Sequence, residues 1–299
     1  MQEQVGILDE RLLEISDSSS QDLANQFEYA SGSIIGRNHV FAGKNNQDAY
    51  RIVANEKFII AVVCDGCGSG KHSEVGAKLG ARLVINAIAD LLNQSPDRDV
   101  EISKPEFWDS VKINLLQKLK DFVVLFNGNH ELVGAIHELP LQREFVNDYL
   151  LSTIVGSVIT PSETVTFSIG DGAIAINGKF TEIPPYADNA PPYLAYGLYK
   201  PEAINFEIRD LLPTSELESL LIATDGISDL VKVEDINQFW QEDRYFKNPD
   251  AIRRKLAMLN REEAKPDWNK RELIKRSGVL SDDTSLVVIR RPSPPAPFP

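Results

Sequence analysis

Two cysteines in 299 residues, Cys64 and Cys67, are too few for the disulfide framework of a small secreted protein. No run of 18 or more apolar residues occurs, which excludes a membrane-spanning helix. The opening Met1-Gln2-Glu3-Gln4 lacks the basic and apolar regions of a signal peptide. Positive charge is also scarce: 31 Lys and Arg face 44 Asp and Glu, a net charge of −13. Nucleic acid and anionic membrane both demand a large positive field, so neither is expected as a partner. A cytoplasmic globular protein is the expectation.

What is present falls into a body with two biased ends. Residues 1–28 carry seven acids and one base, so 1–30 reads as an acidic N-terminal extension. Five prolines in residues 291–299 make 292–299 a disordered Pro-rich tail. Between them, 58–64 is a continuous apolar run ending in Asp-Gly, as a buried strand would. Ser73 then caps a helix whose apolar positions are Val75, Leu79, Leu83, Ala87 and Leu91, and 107–126 shows the same period. Runs 153–160 and 164–169 flank Pro161-Ser162-Glu163, and 173–176 and 179–183 flank Asn177-Gly178, so two hairpins follow. Residues 220–223 and 284–289 are further buried strands. Consecutive hairpins with separate helices predict antiparallel sheets covered by helix pairs in a single domain, 31–291. Residues 251–276 hold nine bases and four acids, +5 against −18 elsewhere, and read as a solvated helix face, with a docking patch for an acidic partner as the alternative.

The densest motif is Cys64-Asp65-Gly66-Cys67-Gly68-Ser69-Gly70-Lys71, between strand and helix. A phosphate loop would need Gly at position 65 and Ser or Thr at 72, where Asp65 and His72 stand. A dinucleotide fingerprint would need Gly in place of Lys71 and a parallel sheet. Cys-x-x-Cys suits a thioredoxin-like site, but not among hairpins, and one Cys pair lacks two ligands for zinc. An Asp-Gly corner that holds a metal gains weight from its echoes: Asn46-Gln47-Asp48, Thr224-Asp225-Gly226 and Ser281-Asp282-Asp283 also stand at strand ends. Converging carboxylates repel, so such a cluster binds cations or raises its pKa values. All-oxygen donors favour Mg²⁺ or Mn²⁺.

Taken in order, Gln47-Asp48-Ala49, Cys64 to Gly70, Ser152-Thr153-Ile154-Val155-Gly156, Gly170-Asp171-Gly172, Ala223 to Asp229 and Asp282-Asp283-Thr284-Ser285 resemble the metal-dependent serine/threonine protein phosphatases of the 2C type, in a bacterial-type branch. The resemblance spans about residues 31–290 and implies an α+β fold, a four-layer α-β-β-α sandwich of two antiparallel sheets flanked by helix pairs. It implies hydrolysis of phosphoserine and phosphothreonine in proteins by a hydroxide bridging two Mn²⁺ or Mg²⁺ ions, in line and without a phosphoenzyme. By similarity Asp65 bridges both ions, Asp225 and Asp282 hold the first, and Asp48 with the Gly66 carbonyl serves the second. Asp148 matches the acid of a third, weaker ion, Asp171 a structural turn, and Asp229 a helix start. A phosphorylated protein is the implied partner, with a cognate Ser/Thr kinase behind it.

Three departures stand out. Gln47 replaces an acid, Cys67 stands where some members carry a His, and the phosphate-binding Arg has no clean match, leaving Arg37, His39 and Lys44 as candidates. They motivate a rival expectation, a catalytically weak pseudo-phosphatase that binds or senses a partner. Residues 183–200 hold four of the eight tyrosines and resemble the family's variable flap. A redox switch at Cys64 and Cys67 is one further reading of the first corner.

Overall fold

The computed structural model describes residues 22–94, 100–127, 140–187 and 190–292. The expected Pro-rich tail from 293 and the extension up to residue 21 lie outside them. In chain order the elements are α1 (Leu23–Gln26), β1 (Glu28–Ile34), α2 (Arg37–Ala42), β2 (Ala49–Ala54), β3 (Ile59–Cys64), α3 (Ser73–Gln94), α4 (Pro105–Asn127) and α5 (Pro140–Tyr149). The series continues with β4 (Ile154–Ile159), β5 (Glu163–Ile169), β6 (Gly172–Ile176), β7 (Lys179–Ile183), β8 (Glu207–Pro213) and β9 (Ser219–Ala223). Last come α6 (Ile227–Leu230), α7 (Gln238–Gln241), α8 (Arg244–Lys247), α9 (Ala251–Leu259), β10 (Glu263–Asp267), β11 (Glu272–Arg276) and β12 (Thr284–Arg290).

Side-chain alternation explains the layers. Along β3, Ile59, Ala61 and Val63 enter one apolar cluster while Ile60, Val62 and Cys64 enter another. The first cluster also takes Val155 and Ile159 of β4, Ile174 of β6, Leu220 and Ile222 of β9, and Val287 and Ile289 of β12, so it lies between two sheets. One sheet runs β2-β3-β4-β5-β8, the other β1-β12-β9-β6-β7, and every pairing is antiparallel. The remaining faces bury against helices: the β3 sheet against α3 and α4, the β12 sheet against the α6–α9 segment. Strands covered on both faces read as unbroken Val/Ile/Leu runs because neither face meets water. Each fully buried side chain of this kind contributes about 1.5–3 kcal/mol. The α+β four-layer sandwich expected from the sequence is the observed fold.

Several local expectations give way. On α3 the buried stripe is Ala77, Ala81, Val84, Ile85 and Ile88, whereas Val75 is exposed and Leu79, Leu83 and Leu91 are half-buried. Small residues let this helix approach its neighbours closely: a Cβ on Gly76 would stand 2.7 Å from the Leu150 backbone, just after α5. Leu23 and Phe27 are buried between the sheets and β1 begins at Glu28, so packing starts inside the stretch read as an extension. The basic stretch is no continuous helix, since α9 ends at Leu259 and β10 and β11 form a separate two-stranded ribbon. In the tyrosine-rich segment, Tyr193, Leu194 and Ala195 pack into the α3–α4 core. The Asn177-Gly178 hairpin is as expected, with φ of 50° and 83°.

Candidate metal centre

Pairing register brings all four Asp corners to one end of the sheets. Ala49 pairs with Cys64, placing Asp48 and Asp65 side by side as one strand begins and the next ends. Across the sandwich, Ala223 pairs with Leu286, which puts Asp225 beside the loop of Asp282 and Asp283. Ala173 also pairs with Ala223, so Asp171 joins the same end. The first corner is held by backbone bonds, Gly66 N–H to Gln47 O (3.1 Å), Cys67 N–H to Leu151 O (3.0 Å) and Thr153 N–H to Asp65 O (2.8 Å). Gly66 permits this closure: a Cβ there would lie 2.7 Å from Gln47 O and 2.8 Å from Ser73 O.

The electrostatics are those of a cation site. Asp48 is buried; its Oδ2 accepts from Thr224 Oγ1 at 2.7 Å, while Oδ1 has no hydrogen-bond partner. Desolvation raises Asp48 well above the usual carboxylate range, Asp283 and Asp225 push it further, and the Thr224 bond opposes them. Asp65 is raised by burial, then by Asp48, Asp225 and Asp282. Asp225, though open to solvent on one side, is pushed up to about 6, first by desolvation, then by Asp282 and Asp171. Four like charges with an orphaned buried oxygen are unfavourable alone and fit divalent cations. Among the described residues, the one His/Cys/Asp/Glu trio with donors within 4.8 Å of one another is His39, Asp282 and Asp283. Asp48, Asp65, Asp225 and Asp282 do not form such a close trio among themselves.

Asp283 has another task. Its Oδ1 accepts from Gly36 N–H (2.7 Å), its Oδ2 accepts from Gln47 N–H (2.5 Å), and His39 Nδ1 stands 2.9 Å from Oδ2. One carboxylate thus ties the start of α2, His39 and the Asp48 corner to the Asp282 strand. Asp229 does the same from α6, accepting from the Ser281 hydroxyl and, at 3.0 Å, from Ser281 N–H. Burial alone would raise Asp229, but these bonds and Lys232 outweigh it and hold the group low. Neither role was visible in the sequence, because each depends on a partner loop about 50 to 250 residues away.

Of the phosphate candidates, His39 sits 3.8 Å from Asp282 Oδ1, and Lys44 Nζ donates to Gly68 O at 2.6 Å beside the first corner. Arg37 instead donates Nη1 to Gly278 O at 2.7 Å. Asp148 pairs with Lys71 at 2.6 Å. Asp171, raised by burial, shares a cavity of about 260 Å³ with Asp225 and Asp282, which Glu182, Asp229 and Ser281 also line. The sign in the sequence was its place in Gly170-Asp171-Gly172, between two strands that end at this cavity.

Both cysteines are free and buried. Burial, then Asp48 and Asp65, pushes the Cys64 thiol well up, which disfavours the reactive thiolate. Cys67 Sγ lies 3.1 Å from Ser69 Oγ and takes a hydrogen bond from Tyr193, whose hydroxyl is raised by burial and then by that contact.

Comparison with known proteins agrees with this geometry. The family model for protein phosphatase 2C matches residues 35–260. A crystal structure of a bacterial serine phosphatase aligns with 90% of this chain and 100% of its own, at 15% identity and a TM-score of 0.50. A form carrying an arginine-to-glutamate substitution aligns over 88% and 98%, at 16% identity and 0.53. At such identity the likeness is one of fold. No curated protein matches the sequence. The family match over most of the chain decides the matter: this chain belongs to the protein phosphatase 2C family, the metal-dependent serine/threonine phosphatases.

Proposed function

We propose that the chain hydrolyses phosphoserine and phosphothreonine in proteins, with water attacking phosphorus directly and two Mn²⁺ or Mg²⁺ ions bound by the aspartates. The observation that carries this reading is the buried Asp48–Asp65 pair, with an unpartnered Asp48 oxygen, facing Asp225 and Asp282 across the sheet ends. In this reading Asp65 would serve both ions, Asp225 and Asp282 would hold one, and Asp48 with the Gly66 carbonyl would hold the other. When bound, such ions make water nucleophilic near neutral pH and offset charge on phosphoryl oxygens. Gln47, neutral and buried with an unpartnered Oε1, orients a hydrogen-bond donor without adding charge. His39, steadied by Asp283, and Lys44 beside Gly68 are the groups placed to meet substrate phosphate. No cysteine nucleophile is required. Asp171, in preference to Asp148, is the acid positioned for a third, weaker ion. A substrate of this kind implies a Ser/Thr kinase acting before it.

The test is hydrolysis of p-nitrophenyl phosphate and a phosphothreonine peptide with Mn²⁺, Mg²⁺ or EDTA, alongside Asp65→Asn and Asp225→Asn. Metal-dependent turnover lost in both variants supports the proposal. Metal binding by calorimetry without turnover favours the pseudo-phosphatase, which Gln47 and the absent phosphate-binding Arg motivate.

A further inference from the structure

The ribbon of β10 and β11 belongs to neither large sheet. Its strands pair with each other and with no other strand, and nine of their ten residues are exposed, Asp267 being half-buried. A two-stranded ribbon with no third partner is marginal in water, so its exposure is a feature to explain. The register puts Ala264, Pro266 and Leu273 on one face, and Leu273 is 57% exposed. At the tip stand Trp268, 83% exposed, with Lys270 and Arg271. Glu263 is paired with Lys265, and Lys275 lies near Glu262. Among the described residues Lys270 and Arg271 have no ion pair. A bare tryptophan beside two unneutralised cations is the composition that anchors protein interfaces.

The root fixes where this arm belongs. Val279 N–H donates to Leu259 O, Asn260 Nδ2 to Ile35 O, and Arg37 Nη1 to Gly278 O, so the arm is bonded to the start of α2. Four residues after Gly278 comes Asp282. Five residues of strand extend about 17 Å from that root, a distance five or six residues of extended peptide also cover. The family match ends at residue 260, where the arm begins.

We propose that the β10–β11 arm is a docking element for an acidic, extended segment of the phosphoprotein substrate. The charge argues for this partner: residues 263–276 carry five bases and three acids, +2 in a chain of −13, with Lys270 and Arg271 together at the tip, so the arm attracts acidic segments that the rest of the surface repels. The identification of that partner as substrate rests on the phosphatase reading; the acidic docking surface itself does not.

The test uses the full chain and a variant combining Trp268→Ala, Lys270→Glu and Arg271→Glu, all at exposed positions outside the metal centre. The probes are phosphothreonine peptides with four glutamates, or four alanines, five to eight residues from the phosphothreonine. Both proteins should turn over p-nitrophenyl phosphate equally with Mn²⁺. The unaltered chain should favour the acidic peptide about tenfold, through KM and less so at high salt, and the variant should lose that preference. Binding is read separately from Trp268 emission, since Trp108 and Trp240 are buried, using a glutamate peptide without phosphate. An emission shift without turnover on any substrate would remove the phosphatase reading and leave the docking surface standing. Equal peptide preference in both proteins with no emission shift overturns the proposal. So does concentration-dependent dimerisation lost in the variant without peptide discrimination, which would assign the arm to a second copy of the chain.

Discussion

Replacing Asp283 with alanine should show that a residue beside the metal ligands governs both folding and catalysis. The substitution strands two buried backbone donors, Gly36 N–H and Gln47 N–H, which now give 2.7 and 2.5 Å bonds to one carboxylate. Leaving a buried donor unsatisfied costs about 1–3 kcal/mol. Two of them suggest about 2–6 kcal/mol, out of roughly 5–15 for a domain. Loss of the Asp283 charge also relieves repulsion on Asp48, so the lower half of that range is expected. With about 2–4 °C per kcal/mol for a large domain, the melting temperature should fall by about 10 °C. Asp283→Asn keeps one oxygen for Gly36 but turns an amide N–H₂ toward Gln47 N–H, and should lose about half as much. Because His39 and the Asp48 corner hang from the same carboxylate, kcat should fall in both variants under saturating Mn²⁺, at temperatures where they remain folded. Thermal unfolding by calorimetry and p-nitrophenyl phosphate kinetics measure the two effects. An alanine variant within about 1 kcal/mol of the unaltered protein, with unchanged kcat, would refute the clamp.

Three more outcomes are expected. Asp48 and Asp65 are raised in the metal-free fold, so their stabilising contribution is complete below the ordinary aspartate value and lost as pH rises through the raised values. In EDTA the melting temperature should therefore drop between pH 5 and 8, less steeply for Asp48→Asn, with Mn²⁺ reversing the drop at pH 7.5; identical slopes for the two proteins would contradict this. Gly66→Ala forces a Cβ to within 2.8 Å of two backbone oxygens and should cost about 1–3 kcal/mol and most of the activity, read by urea unfolding and turnover; near-native values would show that the corner can yield. Asp171→Asn should raise the Mn²⁺ concentration needed for half-maximal turnover while Asp148→Asn leaves it within about twofold; the reverse ranking would return the third-ion role to Asp148.

Much of the sandwich was legible because its strands are covered on both faces. Runs such as 58–64 and 284–289 announce buried strands, and Asn177-Gly178 announces its hairpin, without reference to any distant residue. The α3 stripe was misread by one position, since leucines dominate a pattern search whereas alanine and glycine set how closely that helix lies on the sheet. The ribbon was misread as helix because lysine, arginine and glutamate suit a solvated helix as well as an exposed hairpin. At the centre, Asp65 and Asp225 stood out as Asp-Gly corners closing apolar strands. Asp171, read as a turn, lines the cavity of Asp225 and Asp282, and Asp148, read as a third-ion acid, pairs with Lys71.

The sequence by itself determined the buried central strands, such as those at 59–64, 154–159 and 284–290, and the carboxylates that end strands, because local periodicity and turn chemistry need no long-range partner. Only the tertiary structure decided which carboxylates meet. Asp283 and Asp229 look like ordinary surface acids until the fold sets them against Gly36, Gln47 and Ser281, whose backbone donors no linear pattern records. Burial then does what composition cannot, raising Asp48 and Asp65 together so that their charged forms call for cations or protons beside them.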